Sequence, residues 1–476
     1  MQSTRAQAVA DAQHSIESGE LEHILKRRIA HRTQSQAPGN RAAQQRYFLE
    51  DVGPELTELG FVAMVLENVV SADHPLFVAR RIEDESLPTL LLYGHSDVQF
   101  AHEANWSEGL HPWELTRAGE RLYGRGTADN KGQHTVNLLA LRSVLRSRPV
   151  LGYNVTVLLE SGEETGSIGL EETVAANREL LAADLFIGSD GPRYTRTDPT
   201  VFLGSRGCAA FVLECDLREE DAHSGNWGGR LRNPATMIAA AISALVDGRG
   251  VIQVPELLPA GEIPAAVREA IAALPPSQAL ADPGWGAPGL TPDERVFAWN
   301  TLEVIALDAG QPAAPVSSIP GAAWAHLHLR YVTGTDVGRA FQAMRARLDE
   351  LGLADVKILA GSDVPASRLS PDAPVVRTVV ESVARTTGRT PAVLPNIGGT
   401  IPNAVFAETL GLPTLWIPHS YPDSAQHAPD EHALLPVLQE GLAIIAGVLW
   451  DIAESPESWM PRGGGGVDDS SLRRIA

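Results

Sequence analysis

Thr89-Leu90-Leu91-Leu92-Tyr93-Gly94-His95-Ser96-Asp97 is the stretch on which the fold turns. Five apolar or aromatic-rich positions, Thr89–Tyr93, run without alternation and stop at Gly94. A run that short, with no polar face, reads as a strand buried on both sides of a mixed or parallel sheet. His95 and Asp97 follow at its carboxyl end, where open α/β sheets place their sites. A neutral imidazole is a good ligand for zinc. Asp97, two residues on along extended backbone, falls on the same side and can orient the ring. Taken alone, the pair is equally a surface loop.

The same motif of strand then ligand recurs outward from this segment. Asn154–Leu159 reads as a second buried strand, followed by Glu160-Ser161-Gly162-Glu163-Glu164. Two adjacent carboxylates at a buried strand end are costly without cations. One can hold a metal while the other takes a proton from water. A solvated acidic turn is the simpler reading of that pair by itself. Asp184–Ile187 is a third strand, with Asp190 just beyond it in Gly188-Ser189-Asp190-Gly191. Asp129 sits in the glycine-bearing segment Gly124–Gly132 ahead of a helical stretch, Gln133–Ser147. It could bridge two cations, one per oxygen, or it could cap the helix. His427 follows a strand at Thr414–Pro418. Together the five donors are His95, Asp129, Glu164, Asp190 and His427. They include no thiol, which suits zinc, cobalt or manganese in a two-metal site.

Strands and helices alternate on both sides of a middle region that has a different rhythm. Phe61–Glu67 and Pro75–Arg80 read as strands, and Leu434–Ala453 as a helix. Within the middle, Ala209–Leu217 is strand-like and Pro234–Val246 helical. Ala322–Tyr331 alternates cleanly, with Trp324, His326, His328 and Arg330 on one face. An amphipathic helix, Asp336–Leu351, and a strand, Val356–Ala360, complete a small α/β unit. Residues 249–295, rich in Pro, Gly and Ala, read as an insertion or long loop, and the glycine-rich tail around Gly465 as loose chain. The expected class is α/β: a three-layer catalytic domain of the phosphorylase/hydrolase type with an inserted α/β lid. The expected boundaries are 1–205 and 373–476 for the catalytic domain and 206–372 for the lid.

Bulk properties agree with a soluble, globular protein. The chain has 476 residues, too many for one ordinary core. Its formal net charge of -21 disfavours nucleic acid and anionic membranes as partners. Two cysteines, Cys208 and Cys215, fall in one expected strand and make neither a disulfide framework nor a thiolate metal site. No signal-peptide core and no apolar run near the length of a membrane span is evident, so a cytoplasmic location is expected.

These motifs, in this order and over nearly the whole chain, resemble the aminoacylase, carnosinase and glutamate-carboxypeptidase family of two-zinc metallopeptidases, closest to its cytosolic dipeptidase branch. The resemblance implies Glu163 as general base, Asp97 as orienter of His95, and Asp129 as the bridge between two metals. His95 and Asp190 would hold one ion; Glu164 and His427 would hold the other. Asp430 stands where the family pattern around the late histidine has asparagine.

Leu203-Gly204-Ser205-Arg206-Gly207 resembles the hinge into that branch's lid. Asp221-Ala222-His223-Ser224-Gly225 resembles the lid segment that crosses a homodimer, which would make His223 an oxyanion donor. Arg330 resembles a substrate-binding arginine. Asn396, Gly398, Gly399 and Thr400 match a substrate loop, but Asn396 replaces an arginine that grips a carboxylate. The implied reaction is hydrolysis of an amide bond in a dipeptide or N-acyl amino acid-like substrate, with a blocked carboxyl end also in view. Hydrolytic deamination of an aromatic amine, and a non-catalytic binding protein, are the alternative readings.

Overall fold

The computed structural model describes residues 4–276 and 280–459, so the tail expectation lies outside the described residues. The chain divides into two compact units. The first takes its described residues from Met1–Val201, Asp372–Pro391 and Thr409–Ala476; the second from Phe202–Pro371 and Ala392–Glu408.

The centre of the first unit is the strand Thr89–His95, buried at every position. It lies parallel to Asn154–Glu160 on one side and to Leu185–Gly188 on the other. Thr414–Trp416 extends the parallel part beyond Leu185–Gly188. Leu76–Arg81 and then Val62–Leu66 add antiparallel strands on the opposite side. Position explains composition here. The interior strands are Val- and Leu-rich on both faces, while the outermost, Val62–Leu66, has exposed positions. Leu90, Leu91 and Leu92 are each no more than 2% exposed, and burying such a side chain contributes about 1.5–3 kcal/mol.

Helices cover the sheet. Lys131–Ser147 crosses Thr89–His95 so closely that a Cβ on Gly94 would lie 2.8 Å from His134 Cβ. Only glycine allows that approach, and it seats the amino end of the helix beside His95. Leu435–Glu454 packs on Lys131–Ser147. It is the one described helix long and apolar enough to cross a membrane by length and composition, and 83% of its most apolar window is buried. It is a core helix of this unit.

The second unit is built on an antiparallel sheet in the order Thr301–Ala309, Ala322–Tyr331, Gly207–Asp216, Lys357–Val364. Alternate residues Ala209, Phe211, Leu213 and Cys215 join Ala323, Ala325, Leu327 and Leu329 in its core. The helices Pro234–Leu245 and Val337–Glu350 pack on that face, each started by a side-chain cap, Asn233 and Asp336. Trp324, His326, His328 and Arg330 share the other face, as the alternation requires. Cys208 and Cys215 are free thiols within one strand.

One expectation needs correction. Residues 249–295 are not one long loop: Ala265–Ala272 is a helix, and Pro292–Phe297 is another with a full capping box between Thr291 and Glu294. The strand Thr301–Ala309, absent from the sequence reading, forms an edge of the second sheet. Its apolar residues fall on both faces, so it shows neither alternation nor a fully buried run.

Candidate metal centre

Each candidate in the first unit sits at a strand end or in a loop that the sheet holds in place. His95 is the last residue of its strand and pairs in register with Glu160. Glu163 and Glu164 lie in the tight turn after Asn154–Glu160. Asp190 follows Leu185–Gly188 by two residues. Asp129 precedes the helix at Lys131 across a cis Asp129–Asn130 peptide. His427 comes from a loop in which Ala425, His427 and Asp430 have φ of 55°, 60° and 62°. Left-handed backbone at non-glycine residues is uncommon and must be held by its surroundings. Part of the hold is Ser107, which donates to the Asp430 carboxylate from its amide at 2.9 Å and from its hydroxyl. Aspartate tolerates this conformation as asparagine does, so Asp430 preserves the turn.

The structure brings these residues together. Asp129 Oδ1 lies 3.0 Å from His95 Nε2, and its Oδ2 lies 3.0 Å from His427 Nε2. Glu164 Oε2 is 3.2 Å from the same His427 nitrogen. Asp190 Oδ2 stands 3.8 Å and Glu163 Oε2 4.0 Å from His95 Nε2. Two groups of donors close enough to hold a cation result: His95, Asp129 and Asp190, and Asp129, Glu164 and His427. Asp129 belongs to both. Behind them, Asp97 faces His95 Nδ1 at 3.4 Å. Its carboxylate also accepts the amides of Glu163 at 3.2 Å and Glu164 at 3.0 Å, tying three site residues into one unit.

Electrostatics make the case for cations. Asp97, Asp129, Glu163, Glu164 and Asp190 crowd around two imidazoles, buried His95 and the more exposed His427. Burial, then the neighbouring carboxylates, hold the Glu163 carboxyl well above its usual range. Burial and Asp129 raise Glu164 to about 7 and Asp190 to about 6. Hydrogen bonds to Asp129 and Glu164 raise His427 to about 11. Burial would raise Asp129 too, but His427 and His95 outweigh it and hold the carboxyl low. Glu164 Oε1 is buried without a hydrogen-bond partner. Divalent cations would balance the excess negative charge and take that oxygen, so the donor set fits them.

The sequence reading missed the supports. The carboxylate of fully buried Glu431 accepts the amides of Gly126, Ala128 and Asp129 and pairs with Arg125 at 2.7 Å. Asn130 Nδ2 donates to Ser189 O at 2.6 Å, fixing the peptide before Asp190. Gln36 and Gln99 both donate to the Glu164 carbonyl. No pattern in the sequence joins Arg125 to Glu431, which lie 306 residues apart.

In the second unit, Arg330 Nη1 donates to Thr400 Oγ1 at 2.7 Å, and Thr400 in turn to Arg206 O at 3.1 Å. Gly398 O accepts from Arg206 Nε at 2.9 Å, while Gly399 has open space around it. Asn396 is buried, with its amide on the Ile397 carbonyl. His223 is exposed and lies apart from these, on a short strand paired with Ser318–Ile319.

Comparison with known proteins agrees with this geometry. Residues 91–451 match the model of peptidase family M20/M25/M40. The chain is similar to the Beta-Ala-His dipeptidase of Mus musculus, 35% identical over 184 residues, which is 38% of this chain and 37% of that protein. It is also similar to the Cys-Gly metallodipeptidase DUG1 of Candida albicans, 32% identical over 208 residues, 42% of each chain. The matched stretch thus spans less than half the length of these curated relatives. Among solved structures, an M20 family metallo-carboxypeptidase, Sso-CP2, from Sulfolobus solfataricus superposes with a TM-score of 0.78 at 25% identity, covering 91% of this chain and 99% of that one. With the family model matching most of its length, this chain belongs to peptidase family M20/M25/M40.

Proposed function

We propose that the chain hydrolyses the amide bond of a dipeptide or N-acyl amino acid-like substrate with two divalent cations, zinc first and manganese or cobalt as substitutes. The observation that carries this reading is the Asp129 carboxylate, with each oxygen 3.0 Å from a different histidine and Glu163-Glu164 beside it. His95, Asp129 and Asp190 would hold one cation; Asp129, Glu164 and His427 would hold the other. When bound, such ions polarise a carbonyl oxygen and bring the pKa of water towards neutrality.

The chain's own groups do the rest. Glu163 Oε2 lies 4.0 Å from His95 Nε2 and removes a proton from the attacking water. Its carboxyl has a raised proton affinity through burial, so it can keep that proton and deliver it to the leaving amine. The water oxygen forms the new C–O bond, and the C–N bond breaks as nitrogen takes the proton. Asp97 holds the Glu163 and Glu164 amides and so aims both side chains.

Residues 206–372 serve as a lid and dimerisation domain in this proposal. His223 Nδ1 accepts from the Gly225 amide at 3.2 Å, which leaves Nε2 as the donor for an oxyanion in a partner's site. Val304, Ile305 and Leu307 are exposed on the edge strand Thr301–Ala309, as a homodimer surface needs. Arg330 and Thr400 are the proposed substrate contacts, with Asn396 shaping their loop. Two free cysteines and a strongly acidic charge support a cytoplasmic location.

The test is elemental analysis paired with hydrolysis of dipeptides, their C-terminal amides, and N-acyl amino acids. Two metals per chain and chelator-sensitive turnover of an amide are expected. Metal without turnover of any amide would sink the reaction assigned here, and aryl-amine turnover instead would favour deamination.

A further inference from the structure

A cavity of about 600 Å³ lies in the second unit, lined by Arg206, Trp285, Arg295, Val296, Trp299 and Glu303 among others. That size suits a small organic ligand. Its walls come from Arg206, from residues between Gly250 and Asn300, and from the start of the strand Thr301–Ala309. Trp285 lies against Gly250, where a Cβ would come within 2.7 Å of the indole; the glycine, at φ +74°, lets the ring pack flat on the chain. Trp299 is half-buried on the same lining. Two indoles supply a broad apolar surface with a defined shape.

The chemistry at the inner wall belongs to Arg206. It is 8% exposed, and its Nε is used by Gly398 O. Its Nη1 is buried with no hydrogen-bond partner, and among the described residues Arg206 forms no ion pair. Burial and the nearby Arg330 charge lower its pKa to about 10, with the Glu303 carboxylate offsetting part of that, so it remains a cation at neutral pH. A buried guanidinium with an open donor is unfavourable until an acceptor arrives, and a carboxylate is the acceptor that also cancels the charge. The other charged lining groups differ. Arg295 gives its Nε to Ala287 O, Asp282 is exposed, and Glu303 is only half-buried.

We propose that this cavity binds a small carboxylate carried on an aromatic or branched apolar body, with the carboxylate on the Arg206 guanidinium and the body against Trp285 and Trp299. The proposal draws on none of the candidate metal ligands and stands whether or not the chain cleaves amides.

The test uses the full chain and three probes: 3-phenylpropionate, 3-phenylpropionamide and acetate. Binding is followed by tryptophan fluorescence and calorimetry, with and without EDTA. The acid should bind at least tenfold more tightly than its amide and than acetate, and EDTA should leave its affinity unchanged. Arg206→Gln should weaken the acid at least tenfold without altering the amide. Because Arg206 also anchors the Gly398 loop, Trp285→Ala provides a second variant at a half-exposed position, expected to weaken both aromatic probes about fivefold. Equal affinity for acid and amide, loss of binding with EDTA, indifference to Trp285→Ala, or no binding at 10 mM would each overturn the proposal.

Discussion

Glu431 and Asp129 are joined through the backbone: the Glu431 carboxylate, fully buried, accepts the Asp129 amide at 3.0 Å, 302 residues away in sequence. The same carboxylate holds Gly126 and Ala128 and pairs with buried Arg125. Glu431 therefore builds the loop that presents Asp129, the proposed bridge. Glu431→Gln leaves Arg125 uncompensated and turns one acceptor into a donor facing an amide. A loss of about 3 kcal/mol in urea unfolding is expected, together with weaker metal retention. Stability within about 0.5 kcal/mol of the parent would show that the loop does not depend on this charge.

Glu163→Gln tests the division of labour between adjacent glutamates. The backbone at residue 163 stays tied to Asp97, and Glu164 keeps its place beside His427. Metal content should remain at the parental level while kcat falls by about 100- to 10,000-fold, the range for loss of a general base. Glu164→Gln should do the reverse and lower metal content first. If the two variants behave alike, the assignment of base and ligand fails.

Metal uptake should release protons at neutral pH. Asp129 and Glu164 hold His427 up to about 11, and burial holds Glu164 near 7. A cation binds the unprotonated forms, so it must displace those protons, and apparent affinity should rise with pH. Calorimetric titration of zinc in buffers of different ionisation enthalpy gives the number released. One or more protons per chain at pH 7 is the expected outcome. Zero would mean that the imidazole is already neutral there.

The strands that carry the proposed ligands were readable because they are the innermost ones. Thr89–His95 and Asn154–Glu160 are buried on both faces, which forces an unbroken apolar run, and each is followed at once by a polar residue that a buried sheet end would not otherwise keep. Glu431 was not readable as a support, since one acidic residue in a polar loop gives no hint of four converging donors. The helix Pro292–Phe297 was readable in principle from Thr291-Pro292-Asp293-Glu294, whose capping box is formed. The helix Ala265–Ala272 rests on Val267 and Ile271 alone, one turn apart, too little periodicity to separate from loop. Arg206 resembles part of a hinge motif; that it also lines a cavity depends on residues about 44 to 97 positions away.

Acid sensitivity should trace in part to Asp51, far from any ligand in sequence. Its carboxylate accepts from Arg27 at 2.9 Å and Arg28 at 3.4 Å and is 4% exposed. Burial alone would raise its pKa, but the two arginines outweigh burial and hold the carboxyl below its ordinary value. A depressed pKa contributes stability above the unfolded value, about 3.9, and that contribution disappears as pH falls through the folded value. Asp51→Asn should therefore melt at a lower temperature than the parent at pH 7, and the two melting curves should converge as pH drops below about 4. Thermal melts between pH 3 and 7 decide the matter. A gap that stays constant across that range would mean that shape, and not charge, is what Asp51 contributes to the helix Glu20–Ala30 and its neighbours.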